Sequence, residues 1–345
     1  MIIKEAKYFP FTLKLRVPFA NASNIITERK GLILQLCDKY DNISYGECSP
    51  LPGFSNETLE EAESSLKEVL MFLNKSEIVR DFEIPSHLSS VRFAAEQALI
   101  NLTFKQKSSL LKNIPIFTDS KIKVNAVLGF DSTQNILSQI QKKIELGFDT
   151  FKIKVGRDNP YDDFELLETI RKTFGYDIIL RLDANQKWSS DEAIEYLERF
   201  KDFVIEFIEE PCEFSCSTFR TIEESHIPIA LDESVKDMLK DGSAITNCKA
   251  EFLVIKPMIT GGIFSTVHLI ESAKRTGKNV IISSSFESAI GKSALVMLAS
   301  LTNHSFSHGL DTSELFEVGL CADPYIIENG QIFFNASKFP PQFTL

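Results

Sequence analysis

The chain has 345 residues, 43% hydrophobic and 25% charged, with a formal net charge of -11. That acidic balance argues against nucleic acid or an anionic membrane surface as a partner. No apolar run approaches the roughly 18–20 residues of a membrane helix, and the opening MIIKEAKYFPFTLKLRVPF alternates and carries Lys and Arg like a strand, unlike a signal peptide, so a cytoplasmic location is expected.

The first hundred residues predict a separate α+β unit. Strands are expected over 2–9, 11–17 and 30–37. The stretch ISYGECSPLPGFS then leads to a helix near 56–73. Glu57, Glu60 and Glu61 give that helix an acidic first turn, which suits its dipole. Leu59, Ala62, Leu66, Val69 and Leu73 supply its apolar stripe. A second helix is expected over 89–104, and the polar segment 105–121 reads as a connection.

From about residue 122 strand and helix signals alternate. The strands read IKVNAVLG (122–129), TFKIKVG (150–156), IILRLDAN (178–185), FVIEFIEE (203–210), IPIALDES (227–234), AEFLVIKP (250–257), NVIISSS (279–285) and HSFSHGL (304–310). Between them, STQNILSQIQKKIELG spaces Ile136, Ile140 and Ile144 on one helical face, and GIFSTVHLIESAKRTG ends in a basic turn and a glycine stop. The stretch 235–249 is the weakest helix of the set. Eight buried strands with helices between them predict a parallel (β/α) barrel. An open doubly wound sheet would carry a glycine-rich phosphate loop after its first strand, and NAVLGFDST offers only Gly129. The tail PYIIENGQIFF reads as strand, turn at Asn329-Gly330 and strand, returning to the first unit. Six scattered cysteines read as reduced thiols. His304 and His308 are four apart but lack a third ligand at a usual zinc spacing.

The strand ends carry charge in series. In a barrel of this type the active site lies at the C-terminal ends of the strands. The second strand ends in Lys152 and Lys154, the third in Arg181 and Asp183, the fourth in Glu209 and Glu210, the fifth in Asp232 and Glu233, and the sixth in Lys256. Acids from three neighbouring strands can converge on one hard cation such as Mg²⁺, which takes oxygen ligands. The second and sixth strands stand on opposite walls of an eight-fold ring, so Lys154 and Lys256 are expected to face each other. Two ammoniums side by side, Lys152 and Lys154, oppose each other's protonation, which favours an amine acting as base. Such a site can grip a carboxylate, remove the proton next to it and stabilise the enediolate. Alternation alone does not choose between Glu209 and Glu210, or between Asp232 and Glu233, because both faces of a barrel strand are buried.

At these residues the chain resembles the enolase superfamily, in its muconate-lactonizing branch; the lysine base and Mg²⁺ of that superfamily are a known example of this chemistry. The resemblance implies a modified TIM-type (β/α)7β barrel over 119–317 and an α+β capping domain over 1–118, completed by 318–345. KIK gives Lys152 and Lys154, with Lys154 the base. LDAN, EEP and LDES give Asp183, Glu209 and Asp232 as metal ligands for Mg²⁺, with Mn²⁺ as a substitute. IKP gives Lys256, the opposing lysine. GECSPLPGFSNET, RLDANQKW and ISSSFESAIG resemble the o-succinylbenzoate synthases within the superfamily. That implies dehydration of 2-succinyl-6-hydroxy-2,4-cyclohexadiene-1-carboxylate, a small carboxylate substrate, to 2-succinylbenzoate in menaquinone biosynthesis. The rival within the superfamily is an N-acylamino-acid racemase or dipeptide epimerase that uses Lys154 and Lys256 as two bases. Arg181 is expected to bind a substrate anion or to partner a buried carboxylate. Ser284 and Ser285 are expected to bind substrate oxygens, and Gly53 and Phe54 to lie on a loop covering the site. Gly261-Gly262 opens a helix, as a plain tight turn or as an anion site.

Overall fold

The computed structural model describes residues 2–20, 25–75, 84–105, 117–213, 225–240, 245 and 248–345. Three antiparallel strands open the chain as a meander: β1 (Ile3–Ala20), β2 (Ile25–Asp38) and β3 (Ile43–Cys48). The break expected between residues 9 and 11 is absent. Pro10 is accommodated because β1 is an edge strand, where a missing N–H is tolerated, and it keeps register opposite Leu32. The stretch ISYGEC, read as part of a connection, is β3, paired along its length with β2.

Helices α1 (Leu59–Lys75) and α2 (Ser89–Lys105) cover this sheet. Thr58 caps α1 reciprocally with Glu61, Thr58 N donating to the Glu61 carboxylate and Glu61 N to Thr58 Oγ1. Glu57 falls outside the first turn: it is buried and accepts from Ser90 N at the start of α2. The expected stripe is the buried one, with Ala62, Leu66, Val69 and Leu73 packed among Leu34, Leu36, Ala94 and Ala98. Gly46 permits the close approach of α2, because a Cβ there would lie 1.9 Å from the Ala94 carbonyl oxygen.

Of the segment read as a connection, 106–116 lies outside the described residues and its end is a strand, β4 (Ser120–Lys123). The barrel follows as β5 (Ala126–Leu128), α3 (Thr133–Glu145), β6 (Thr150–Lys154), α4 (Pro160–Phe174), β7 (Ile179–Asp183), α5 (Ser190–Phe200), β8 (Ile205–Glu209), β9 (Ile229–Leu231), α6 (Glu233–Lys240), β10 (Phe252–Ile255), α7 (Gly262–Arg275), β11 (Asn279–Ile282) and α8 (Ala289–Ala299). Strands β5 to β11 form one parallel sheet in chain order. The expected eighth strand shrinks to two residues. His308 bridges Val124 and Gly309 bridges Ser283, so the ring closes through single bridges. The reason is local: Asn303 side-chain oxygen accepts from Ser305 N and its carbonyl from Phe306 N, turning the chain just before. Helix α6 ends at Lys240, and most of the remaining stretch to 249 lies outside the described residues, as does Cys216; the five described cysteines are free.

Alternation sorts the strand residues into two sets. Phe151, Ile153, Leu180, Leu182, Ile208, Leu253 and Ile255 pack with helix residues such as Leu166, Ile170 and Ile263. Phe207, Ala230, Phe252, Val254 and Ile281 form a cluster of their own inside the barrel. The tail hairpin, β12 (Ile327–Glu328) and β13 (Gln331–Phe334), turns at Asn329-Gly330 and pairs with β4. The tail also meets the first sheet, where Phe316 bridges Leu15 of β1.

Two carboxylates from the N-terminal unit seat on barrel helices. Glu47 of β3, wholly buried, accepts from Ser288 N, Ser288 Oγ and Gly291 N at the start of α8. Glu96 of α2 accepts from Ile263 N and Phe264 N at the start of α7, at 2.6 and 3.0 Å. The helix opened by Gly261-Gly262 thus finds an acceptor for its first N–H groups within the chain.

Candidate active site

Register places the charged residues in rows. Lys154 stands opposite Asp183 and Asp183 opposite Glu209, so one row crosses the ends of β6, β7 and β8. Lys152 and Arg181 form the row beneath. Glu209 lies level with Ala230, and Asp232 follows two residues later on the same face. By the same alternation Lys256 follows Val254 of the barrel-interior cluster.

The structure brings the three acids and three lysines together. Lys152 Nζ lies 2.7 Å from Glu209 Oε1 and 2.9 Å from Asp183 Oδ2. Lys256 Nζ pairs with Asp232 Oδ2, and Lys154 Nζ donates to Asn185 Oδ1. Burial works to raise the Asp183 carboxyl, but the ammoniums of Lys152, Lys154 and Lys256 overcome it and hold it below its ordinary value. Burial, with Asp183 and Asp232 close by, pushes the Glu209 carboxyl up. Burial also opposes the charges on Lys152 and Lys256. The facing acids outweigh it, Asp183 and Glu209 for Lys152 and Asp232 and Glu233 for Lys256, so both ammoniums are held protonated. The two lysines of KIK therefore diverge: Lys152 is a counter-ion to two acids, and Lys154 points to an amide.

The donor set fits a hard cation. Asp183, Glu209 and Asp232 are all buried and all carboxylate, from three adjacent strands. Among the described residues no three His, Cys, Asp or Glu side chains already stand as a metal cage. The acids instead draw positive charge from Lys152 and Lys256, which is the electrostatic demand a divalent ion would meet.

The choice left open at two strand ends is now visible. Glu209 faces into the barrel toward Lys152. Glu210 turns to the backbone, accepting from Asp232 N and Ser234 N at 2.8 Å each. Glu233 is reached by Asn185 Nδ2 at 3.2 Å, and burial beside Asp232 pushes its carboxyl up to about 7. Asn185 sits within the quoted LDAN, yet nothing in the pattern revealed that its side chain receives Lys154.

Arg181 partners a buried carboxylate, one of the two roles expected for it. It is 1% exposed, Nε donates to Glu206 at 2.6 Å, and Nη1 donates to Asn125 Oδ1 and the Ser307 carbonyl. Its guanidinium stacks over the Phe207 ring at 4.6 Å. Its Nη2 is buried and finds no hydrogen-bond partner among the described residues. Ser284 Oγ donates to Glu287, and Ser285 N donates to the same carboxylate at 2.7 Å. Ser285 Oγ is buried and finds no partner among the described residues.

Gly53 and Phe54 lie on a tight loop of the N-terminal unit, in which Phe54 N and Ser55 N both donate to Leu51 O. Gly53 has φ +82°, where a side chain would be strained. The Phe54 ring lies 5.6 Å from Lys256 Nζ, and Lys236 Nζ of α6 donates to the Phe54 carbonyl at 2.5 Å. A cleft opens here, lined by Gly53, Phe54, Asp232, Lys236, Lys256 and Thr260. Buried Arg29 steadies the same loop from behind, donating to the Ser49 and Pro50 carbonyls. Neither Lys236 nor Arg29 carried a signal in the sequence.

Residues 135–337 match the family model described as Enolase C-terminal domain-like, and residues 3–102 match that of the MenC N-terminal domain. The o-succinylbenzoate synthase of Aliivibrio fischeri (strain MJ11) is 31% identical over 334 residues, 92% of this chain and 93% of that protein. The L-Ala-D/L-Glu epimerase of Clostridium acetobutylicum is 25% identical over 312 residues, 87% of each. Among solved structures, the dipeptide epimerase from Methylococcus capsulatus, complexed with Mg and the dipeptide L-Arg-D-Lys, superposes with a TM-score of 0.80 at 22% identity, over 96% of this chain and 97% of that one. The shared fold is the barrel with its N-terminal cap. The chain is an enzyme of the lyase class, and it belongs to the enolase superfamily, close to the o-succinylbenzoate synthases.

Proposed function

We propose that the chain is an o-succinylbenzoate synthase of menaquinone biosynthesis, which removes water from 2-succinyl-6-hydroxy-2,4-cyclohexadiene-1-carboxylate to give 2-succinylbenzoate. The observation that carries this reading is the match of the N-terminal unit to the MenC N-terminal domain, because that unit supplies the loop with Phe54 over the cleft. Asp183, Glu209 and Asp232 would hold Mg²⁺, or Mn²⁺ in its place. Bound there, the cation supplies a Lewis acid for the substrate carboxylate.

The chain's own groups do the rest. Lys154 removes the α-proton and, once protonated, assists departure of hydroxide on the same face. Lys256, held as an ammonium by Asp232, sets a fixed positive charge against the negative charge that develops. Lys152 balances Asp183 and Glu209, and Ser285 Oγ is free to donate to a substrate oxygen. Phe54 and the loop that carries it exclude water from the cleft.

Dipeptide epimerisation is the second reading, supported by the epimerase relative at 25% identity, with Lys154 and Lys256 as bases on opposite faces. One experiment separates them: an ultraviolet assay for the aromatic product, run beside a racemisation assay on N-succinyl amino acids and dipeptides. Rapid aromatisation with slow or no racemisation is expected. Racemisation without aromatic product would overturn the synthase reading.

A further inference from the structure

Glu210 follows β8 directly, yet its alternation turns it away from the barrel interior that Glu209 faces. Its side chain is 1% exposed and accepts four hydrogen bonds. Asp232 N and Ser234 N donate to Oε1, and Ser234 Oγ donates to Oε2, each at 2.8 Å. Gln186 Nε2 donates to Oε2 at 2.9 Å. These donors come from two segments of the chain. Gln186 follows β7, while Asp232 and Ser234 lead from β9 into α6.

One carboxylate therefore ties together the ends of three adjacent strands, β7, β8 and β9. Those strands carry Asp183, Glu209 and Asp232. Main-chain bonds reinforce the tie: Gln186 N donates to Glu210 O at 2.7 Å, and Glu210 N to Ala230 O at 3.0 Å. The backbone is bent to allow it. Glu210 has φ +42°, Asn185 +44° and Gln186 +59°, a left-handed region that side-chain-bearing residues hold only when their surroundings compel it.

We propose that Glu210 is a positioning residue for the metal ligands, fixing the spacing of Asp183, Glu209 and Asp232 by anchoring the backbone on either side of Glu209. The inference rests on the reading of those three acids as ligands of a divalent cation. The hydrogen-bond pattern dictates what substitutions should do. Glutamine at 210 keeps an oxygen for the two backbone N–H groups, and the Ser234 hydroxyl and Gln186 amide can each rotate to accept from its NH₂. Alanine removes every contact and leaves two backbone donors unpaired.

The test is Mn²⁺ binding to the full chain, measured by electron paramagnetic resonance alongside the melting temperature. Glu210→Ala should weaken Mn²⁺ binding about 10–100-fold, the usual effect of removing a group that orients ligands, and broaden the spectrum of the bound ion. Glu210→Gln should bind within about threefold of wild type. Should the alanine variant not fold, Ser234→Ala removes one of the four donors and should weaken binding about two- to fivefold. A lower melting temperature with unchanged Mn²⁺ affinity would make Glu210 merely structural and overturn the proposal. Loss of binding in Glu210→Gln as severe as in Glu210→Ala would make it a ligand and also overturn it. If wild type binds no Mn²⁺, the metal reading falls and this inference with it; if wild type binds and both variants bind alike, only this inference falls.

Discussion

Lys152 on β6 reaches across β7 to bring its Nζ within 2.7 Å of Glu209 Oε1 on β8. An ammonium and a carboxylate from strands that are not neighbours are thus joined inside the barrel. Removing the ammonium leaves Asp183 and Glu209 facing each other unpaired. Lys152→Met should cost about 3–5 kcal/mol of stability, as breaking a buried pair does. Saturating Mg²⁺ should restore more stability to this variant than it adds to wild type. Urea unfolding with and without the metal checks both; equal stabilisation of the two proteins would deny Lys152 its counter-ion role.

Lys154 donates to Asn185 and to none of the acids paired with Lys152 and Lys256. As the proposed base it should be dispensable for folding. Lys154→Ala should reduce turnover by at least about 10²–10⁴-fold, with circular dichroism unchanged. Asp232→Asn should lose activity as well, and EDTA should silence wild type until Mg²⁺ or Mn²⁺ is returned. Near-normal turnover in Lys154→Ala would remove it from the chemistry.

The hydrogen bond from Lys236 to the Phe54 carbonyl joins α6 to the loop above the cleft. A hydrogen bond from a charged donor is worth roughly 1.5–3 kcal/mol, so Lys236→Met should raise KM about tenfold while kcat changes little. Amide hydrogen exchange of Phe54 and Ser55 should quicken in the variant. A loop whose exchange and KM both stay put is held by something else.

Arg181 lies at 1% exposure against Glu206. Arg181→Met should destabilise the chain by about 3–5 kcal/mol, because Glu206 is left without its partner, and leave KM nearly unchanged. A large rise in KM with stability intact would instead support the substrate-anion role expected from its place two residues before Asp183.

These contrasts show where sequence reading reaches its limit. The alternation of buried strands with amphipathic helices was legible because each element must bury an apolar face of its own. Charge at the ends of successive strands was legible because it is conspicuous against apolar runs, but the choice of Glu209 over Glu210 and of Asp232 over Glu233 came only from the family resemblance. Pro10 misled, since a proline signals a break without revealing that its strand lies at a sheet edge. The eighth strand was over-read, since HSFSHGL has strand composition but Asn303 turns the chain first. The roles of Glu47, Glu210 and Lys236 carried no local signal: Glu47 and Ser288 are 241 residues apart in the chain, and neither neighbourhood records the other.

Glu96 carries the clearest dependence on pH. Burial pushes its carboxyl from 4.5 up to about 7, against the pull of the two N–H donors of α7. Between those values the folded chain keeps a proton that the unfolded chain has released. The associated stability is complete below about pH 4.5 and is lost as pH rises to about 7, a change of about 1–3 kcal/mol. Glu96→Gln cannot titrate. The stability of wild type relative to this variant should therefore fall across that window, which also cancels the similar shift at Glu287. A flat difference would mean that Glu96 does not titrate there.

The seating of Glu47 and Glu96 on the first turns of α8 and α7 has a consequence for the chain as an assembly of parts. Each of those helices receives the carboxyl group at its start from the other unit, and each carboxyl is desolvated where its helix is present to receive it. A chimaera that grafted this cap onto a barrel whose corresponding helices begin at other positions would bury two carboxyl groups away from the amides that meet them here. Exchanging caps to alter substrate preference would thus require transplanting the beginnings of two barrel helices as well.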